Sequence, residues 1–286
     1  MQIVSANGAK IPALGFGTYG MTPGHMLRMI PEALKAGFRH IDTAQIYRNE
    51  AEVGECVEAS GIARENLFLT TKVWVANYPA NAFSASVDES LKKLRTDYID
   101  LLLLHWPSDA VPLADQIGVL NAAVQSGKVR HIGVSNFNMA LMAEAARLSE
   151  HSLVTNQFEY HPYLNQAPLI AATRNAGLAV TGYCGMAVGR VFTDPALAAI
   201  ATRHSRSIAQ IVLRWLVQQD GVVALSRTTN PARVAENVAI FEFELEAEEM
   251  AEIHSLAKPN SRIVDPPGLA PIWDTVVDDV RWRREP

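Results

Sequence analysis

His40-Ile41-Asp42-Thr43-Ala44-Gln45-Ile46-Tyr47 is the stretch on which the reading of this chain turns. Phe38 to Ile41 has the character of a buried strand entered from Gly37, and it exits on an acid. A carboxylate there needs a partner or water, because burying an unpaired charge is costly. Tyr47 follows on the segment that leads into a helix. An acid held by a strand end, with a phenol above it, has the makings of a site.

Working outward, short apolar strands alternate with amphipathic helices. The expected strands are Leu14 to Gly17, Phe38 to Asp42, Leu67 to Val73, Tyr98 to His105, Val129 to Val134, Leu153 to Phe158, Ala179 to Tyr183 and Val222 to Leu225. Before them, Ala6-Asn7-Gly8-Ala9-Lys10 reads as a hairpin turn with Asn-Gly at its tip. Asn49-Glu50-Ala51-Glu52 opens a helix with acids at its positive end, and Ser207-Ile208-Ala209-Gln210 is a capping box. Runs such as Ile99 to Leu104 suit a parallel sheet buried on both faces. Each strand is followed by a helix and no linker divides the chain. The economical arrangement is one α/β domain over 1–286, a (β/α)8 TIM barrel with an N-terminal hairpin. Strand counting alone leaves an open doubly wound sheet as the competing arrangement.

Composition bounds the rest. The chain has 286 residues, 49% hydrophobic and 19% charged, enough for a sizeable core, and a barrel of this kind commonly takes about 250. A net charge of -5 without a basic block gives no footprint for nucleic acid. No apolar run approaches the ~20 residues that span a bilayer, and the first residues lack a signal-peptide pattern. Cys56 and Cys184 have no paired or metal-type spacing. A cytoplasmic monomer with no membrane partner is the expectation.

Gly15-Phe16-Gly17-Thr18-Tyr19-Gly20 matches GxGxxG and has Asp42 some way downstream, as a dinucleotide fingerprint requires. Its context argues against that reading: a helix should begin inside the motif, yet Met21-Thr22-Pro23-Gly24 reads as continuing loop. The glycines fit better as places where backbone approaches a ligand.

Barrel enzymes keep their chemistry at the C-terminal ends of the strands. Those ends carry Thr18, Asp42, Lys72, His105, Ser135 with Asn136, Gln157, Tyr183, and Ser226 with Arg227. Neighbouring strands lie about 4.8 Å apart, so Asp42, Tyr47, Lys72 and His105 can converge. Lys72, ending an apolar strand, needs an anion, and Asp42 is the candidate. A lysine beside a phenol favours phenolate and is expected to lower the Tyr47 pKa. Such a tyrosine can give a proton to a carbonyl oxygen, with His105 orienting that carbonyl. Asp42 and Lys72 could also be a structural ion pair, and His105 a core histidine; four such residues on adjoining strand ends favour a site. One His, one Asp and a Lys make a poor ligand set, so no metal is expected.

The segments Asp42 to Glu50, Thr71-Lys72-Val73-Trp74, Leu104-His105-Trp106-Pro107, Ile132 to Phe137, Asn156 to Pro162 and Arg233-Val234-Ala235-Glu236-Asn237 together resemble the aldo-keto reductase family, in order and over nearly the whole chain. That resemblance implies NADPH-dependent reduction of aldehydes and ketones on a (β/α)8 barrel, without metal or flavin. It implies Tyr47 as proton donor, tuned by Lys72 and Asp42, with His105 positioning the carbonyl. It places Ser135, Asn136 and Gln157 on the nicotinamide carboxamide, Tyr183 against its ring, and Thr18, Glu236 and Asn237 among the cofactor contacts. Where a Pro-Lys-Ser sequence is usual, this chain has Ser226-Arg227-Thr228. Arg227, Thr228 and Arg233 keep the charge and hydroxyl that suit a 2′-phosphate.

Tyr19, Trp74, Trp106 and Trp273 are candidates for an aromatic substrate pocket. Residues Ile263 to Asp274, rich in Pro and Gly, read as a strap across the barrel mouth. With Leu94 to Tyr98 and the Asp42-to-Tyr47 stretch they resemble the bacterial 2,5-diketo-D-gluconate reductases of the B type, which also reduce small dicarbonyls such as methylglyoxal. The implied partner is a small carbonyl compound. Two other readings remain at this point: a lysine-Schiff-base lyase using Lys72, and a nicotinamide-binding sensor or regulatory subunit without turnover.

Overall fold

Asn7 and Gly8 both have positive φ, the backbone that a tight two-residue hairpin turn requires, and they join β1 (Ile3–Ala6) to β2 (Ala9–Pro12). In the computed structural model, which describes residues 1–274, this hairpin closes the N-terminal end of a barrel. Asn7 donates its amide to the carbonyls of Leu153, where a barrel strand begins, and Ala176. The single-domain expectation over 1–286 runs past the described residues at 275–286.

Eight parallel strands follow: β3 (Leu14–Gly17), β4 (His40–Asp42), β5 (Phe68–Val73), β6 (Ile99–Leu104), β7 (Val129–Ser135), β8 (Leu153–Glu159), β9 (Ala179–Tyr183) and β10 (Val222–Ser226). They pair in sequence order and β10 closes on β3, so the sheet is a closed barrel and the doubly wound alternative is excluded. The expected strand positions hold to within two residues at either end. β5 and β6 are buried along their whole length, as continuous apolar runs between a barrel interior and a helix layer must be.

The helices are α1 (Pro23–Ala36), α2 (Glu50–Ala59), α3 (Ala80–Leu94), α4 (Leu113–Gln125), α5 (Met139–Leu148), α6 (Ala167–Asn175), α7 (Pro195–His204), α8 (Ile208–Gln218), α9 (Ala232–Val238) and α10 (Ala247–His254). Two departures from the one-strand-one-helix expectation stand out. β9 is followed by two helices, α7 and α8, and β10 by α9 and α10. The loop after the glycine-rich stretch is also shorter than expected, because Thr22 caps α1 by accepting from the His25 N–H and Pro23 starts the helix. The capping box at Ser207 and Gln210 forms as read.

The segment beyond α10 has no regular secondary structure through Asp274 and lies over the barrel mouth. Ile263 and Val264 donate their N–H groups to the Glu159 carboxylate at the end of β8, each at 2.8 Å. At the far end Asn138 donates to the Ile272 carbonyl, and the Met139 N–H donates to Asp274. Between these attachments Trp273 meets Trp106 edge to face, with centroids 6.5 Å apart. The expected strap is present.

Candidate active site

β4 and β5 lie side by side with Asp42 opposite Thr70, which brings the end of one strand beside Lys72 on the other. Lys72 is fully buried and reaches Asp42 Oδ1 at 2.5 Å and the Thr43 carbonyl at 2.9 Å. The other Asp42 oxygen accepts from Gln157 Nε2 at 2.9 Å, across the barrel mouth from β8. Both carboxylate oxygens are therefore held, one by a cation and one by an amide.

Tyr47 ends a short 3₁₀ turn, Gln45–Tyr47, that is closed by Arg48 in the left-handed region. Gln45 pins this turn to the next strand's loop: its Oε1 accepts from the Trp74 N–H and from Asn77 Nδ2, and its Nε2 donates to Ser86 and Ser90. Asn49 ties the same segment down by accepting from the Thr43 hydroxyl and donating to the Thr18 carbonyl. Gln45 and Asn49 are not candidate site residues from sequence; there they are only part of the Asp42-to-Glu50 segment, with Asn49 opening the next helix. With its backbone so fixed, the Tyr47 ring stands 5.2 Å from Lys72 Nζ and 5.6 Å, edge to face, from His105.

The electrostatics differ from expectation at one point. Tyr47 does not have a lowered pKa; burial, with the Asp42 charge adding to it, holds the phenol well above its ordinary value. Burial is the main reason, and the Lys72 ammonium, hydrogen-bonded to Asp42 and the Thr43 carbonyl, does not reverse it. Burial takes the Lys72 ammonium below its ordinary value although Asp42 pulls the other way. Burial and the Lys72 charge hold His105 well below the ordinary histidine range, leaving a neutral imidazole at neutral pH. Its Nδ1 is buried with no hydrogen-bond partner among the described residues.

Beside this group the ends of β7, β8 and β9 form a second polar cluster. Asn136, left-handed at φ 63°, donates through Nδ2 to the His105 carbonyl and to Ser135 Oγ. Its Oδ1 accepts from the Tyr183 hydroxyl at 2.6 Å, and Ser135 donates to the Gln157 carbonyl. Gln157 Oε1 makes no hydrogen bond among the described residues. Ser135, Asn136, Gln157 and Tyr183 are thus brought together and joined to the Asp42–Lys72 pair through Gln157, a link that sequence reading missed. Thr18 is fully buried and fastens β3 to β4, donating to the Asp42 carbonyl.

The remaining candidates occupy the rim at β10. Arg227 is exposed and donates to the Tyr19 carbonyl at 2.7 Å, bridging the first and last barrel strands. Thr228 closes a turn by accepting from the Asn230 N–H. Arg233 and Glu236 are exposed on α9, while Asn237 is buried and donates to Ser226 Oγ. After Tyr183 the backbone is left-handed at Cys184, Ala187, Val188 and Gly189. The Cys184 thiol is half-buried and pushed up to about 11 by burial, as befits a packed rather than a reactive group.

Aromatic side chains line the mouth. Tyr19 lies edge to face on Tyr47 at 5.1 Å, and Trp74 on His105 at 5.4 Å. Trp273 and Trp106 continue the wall from the strap side. No group of His, Cys, Asp and Glu suited to a metal ion occurs among the described residues. No helix among them is long and apolar enough to cross a membrane.

Comparison with known proteins agrees with this fold. Residues 13–258 match the model of the aldo/keto reductase family. The chain is 40% identical over 268 residues to a methylglyoxal reductase DkgB of Yersinia pestis, covering 93% of this chain and 100% of that protein. It is 37% identical to a glyoxal reductase of Bacillus subtilis, covering 88% and 91%. A crystal structure described as a putative 2,5-diketo-D-gluconic acid reductase B superposes with a TM-score of 0.95 at 59% identity, covering 96% of this chain and 98% of that one. A closed parallel barrel with Asp42, Tyr47, Lys72 and His105 gathered at its C-terminal mouth, matched over nearly its whole length to such relatives, means that the chain belongs to the aldo/keto reductase family.

Proposed function

We propose that this chain is an NADPH-dependent reductase of small aldehydes and dicarbonyls, with keto-sugar acids as further substrates and Tyr47 as the proton donor. The observation that carries the reading is the adjacency of a neutral phenol, a neutral imidazole and a paired Lys72–Asp42 at one mouth. The residues present fit the cofactor. Ser135, Asn136 and Gln157 offer amide and hydroxyl groups for a carboxamide, with Gln157 Oε1 open as an acceptor. Tyr183 offers a ring face, and exposed Arg227 and Arg233 with Thr228 suit a phosphate. When bound, NADPH supplies the hydride.

A carbonyl oxygen placed between Tyr47 and His105 meets a hydroxyl that holds its proton and an imidazole that carries no charge. Tyr47 then gives its proton as negative charge develops on that oxygen, general-acid help worth roughly 10²–10⁴-fold. Lys72 offsets the phenolate left behind, and Asp42, fixed by Gln157, keeps Lys72 in place. Tyr19, Trp74, Trp106 and Trp273 exclude water and favour small, flat substrates. The names of the methylglyoxal and diketogluconate reductase relatives support that size class. The Schiff-base alternative asks Lys72 to meet a carbonyl directly, yet Lys72 is fully buried and doubly hydrogen-bonded. The test is a screen of NADPH oxidation over small aldehydes, dicarbonyls and keto-sugar acids. Turnover with the dicarbonyls is expected, and NADPH binding without oxidation by any of them would replace this reading with the sensor one.

A further inference from the structure

Glu159 is a fully buried carboxylate that the reduction chemistry does not use. It lies two residues beyond Gln157 on β8, so both side chains leave the strand on one face. Its Oε1 accepts from His161 Nε2 at 2.9 Å and from the Ile263 N–H, and its Oε2 from the Val264 N–H. Arg262 Nη1 stands 3.9 Å from Oε2. Burial alone pushes the acid up, and the hydrogen bonds from His161, Val264 and Ile263 override it, so Glu159 stays below the usual carboxylate range and charged.

The acid is the root of a chain of contacts running to the mouth. The strap has no helix or strand to satisfy its backbone, and two consecutive N–H groups are given to this one carboxylate. Next to them the Arg262 guanidinium stacks 3.6 Å over the Trp273 ring. Trp273 donates its indole N–H to Asp265 at 2.8 Å and faces Trp106, the residue after His105. The opposite attachment, from Asn138 to Ile272, is exposed, whereas at the Glu159 end the accepting carboxylate is itself fully buried and its two strap bonds are half-buried. The strap is hinged at Glu159 and clasped at α5.

We propose that Glu159 is a positioning residue for substrate: by fixing Ile263 and Val264 it sets where Arg262 and Trp273 stand, and so which carbonyl compounds are held against Tyr47 and His105. This rests on the reductase reading above. Because Glu159 touches neither the reacting atoms nor the four-residue group, its loss should act on substrate binding and leave the chemical step alone.

Glu159→Gln puts an amide nitrogen where an oxygen now accepts, and Val264→Pro deletes one donor while sparing the buried acid. Both are to be compared with Glu159→Asp, which keeps charge and acceptors, in three measurements: steady-state kinetics with methylglyoxal, NADPH affinity by fluorescence, and hydrogen–deuterium exchange of the strap amides. The expected result is a KM raised roughly tenfold or more in both disrupting variants, as for lost hydrogen bonds to a charge. With it should come kcat within about threefold, unchanged NADPH affinity, faster exchange at Ile263 and partial rescue in Glu159→Asp. A KM unchanged in both, or kcat and NADPH affinity falling in step with it, would overturn the proposal. Wild-type protein that reduces no carbonyl compound would overturn the reductase reading instead, and strap amides as protected in Glu159→Gln as in wild type would overturn the anchoring by itself.

Discussion

Removing the counter-ion of Lys72 puts the electrostatics to their hardest test. In Asp42→Asn the ammonium keeps the Thr43 carbonyl and loses a carboxylate 2.5 Å away, and the Gln157 amide loses a charged acceptor. At an effective dielectric of about 20, a pair at 2.5 Å attracts by about 7 kcal/mol, much of it cancelled by the cost of burying both charges. Breaking one side of a buried pair typically costs about 3–5 kcal/mol, here on the order of 10 °C in Tm. Lys72→Met with Asp42→Asn should recover much of that loss, since the double variant buries no unpaired charge.

The sign with pH follows from the depressed Lys72 pKa. In Asp42→Asn the folded value falls further below the unfolded one, so the unfolded state binds the extra proton and stability rises with pH. That contribution is complete above about 10.4, the unfolded lysine value, and is lost as pH falls through the folded value. The Tm gap to wild type should therefore narrow between neutral pH and pH ~9.5. Urea and thermal unfolding of the two single variants and the double variant give the cycle. Strictly additive losses, or a gap independent of pH, would show that the pair carries no such coupling.

Tyr47→Phe should bind NADPH as wild type does and lose roughly 10²–10⁴-fold in kcat, read by fluorescence titration and single-turnover kinetics. Near-full turnover would remove Tyr47 from its role. The pH profile of kcat/KM, which reports the free enzyme, should show no alkaline fall below about pH 10 from Tyr47 and no His105 step near 6.5, given the raised phenol and lowered imidazole. A fall centred near pH 8 would restore the lysine-tuned phenol. Arg227→Ala should cut the preference for NADPH over NADH by roughly tenfold, as for one charge-assisted phosphate contact, and an unchanged ratio would clear Arg227 of that task. Gly54→Ala should destabilise by about 1–3 kcal/mol in denaturant titration, because its added methyl falls on the Lys93 carbonyl.

The barrel was legible because alternating apolar runs and helix caps are local signals, and because the polar residues closing those runs fall at one end once the sheet is parallel. Asp42, Lys72 and His105 could be brought together from strand order alone. What stayed hidden depends on side-chain geometry across the mouth. Gln157 belongs to β8 and was read as a cofactor contact, yet it also grips Asp42 on β4, 115 residues away in sequence. Proximity to Lys72 predicts a lowered Tyr47 pKa; its direction is set by burial first and by the Asp42 charge next, and no spacing encodes burial. Glu159 falls just past the expected strand end at Phe158 and has no sign of its own in sequence, since two of its partners are backbone N–H groups of a segment without periodicity.

The Arg227–Tyr19 bridge has a further consequence, for how the chain folds and unfolds. It joins residues 208 apart in sequence, across the seam where β10 meets β3 through three residue pairs. Closing that seam carries the largest loop-entropy cost in the barrel, so it should be late to form and among the first places to open. An anion held by Arg227 would draw on a side chain already spanning the seam, so binding there should slow unfolding as well as shift its equilibrium. The rim proposed to choose the cofactor is then also the latch on the barrel.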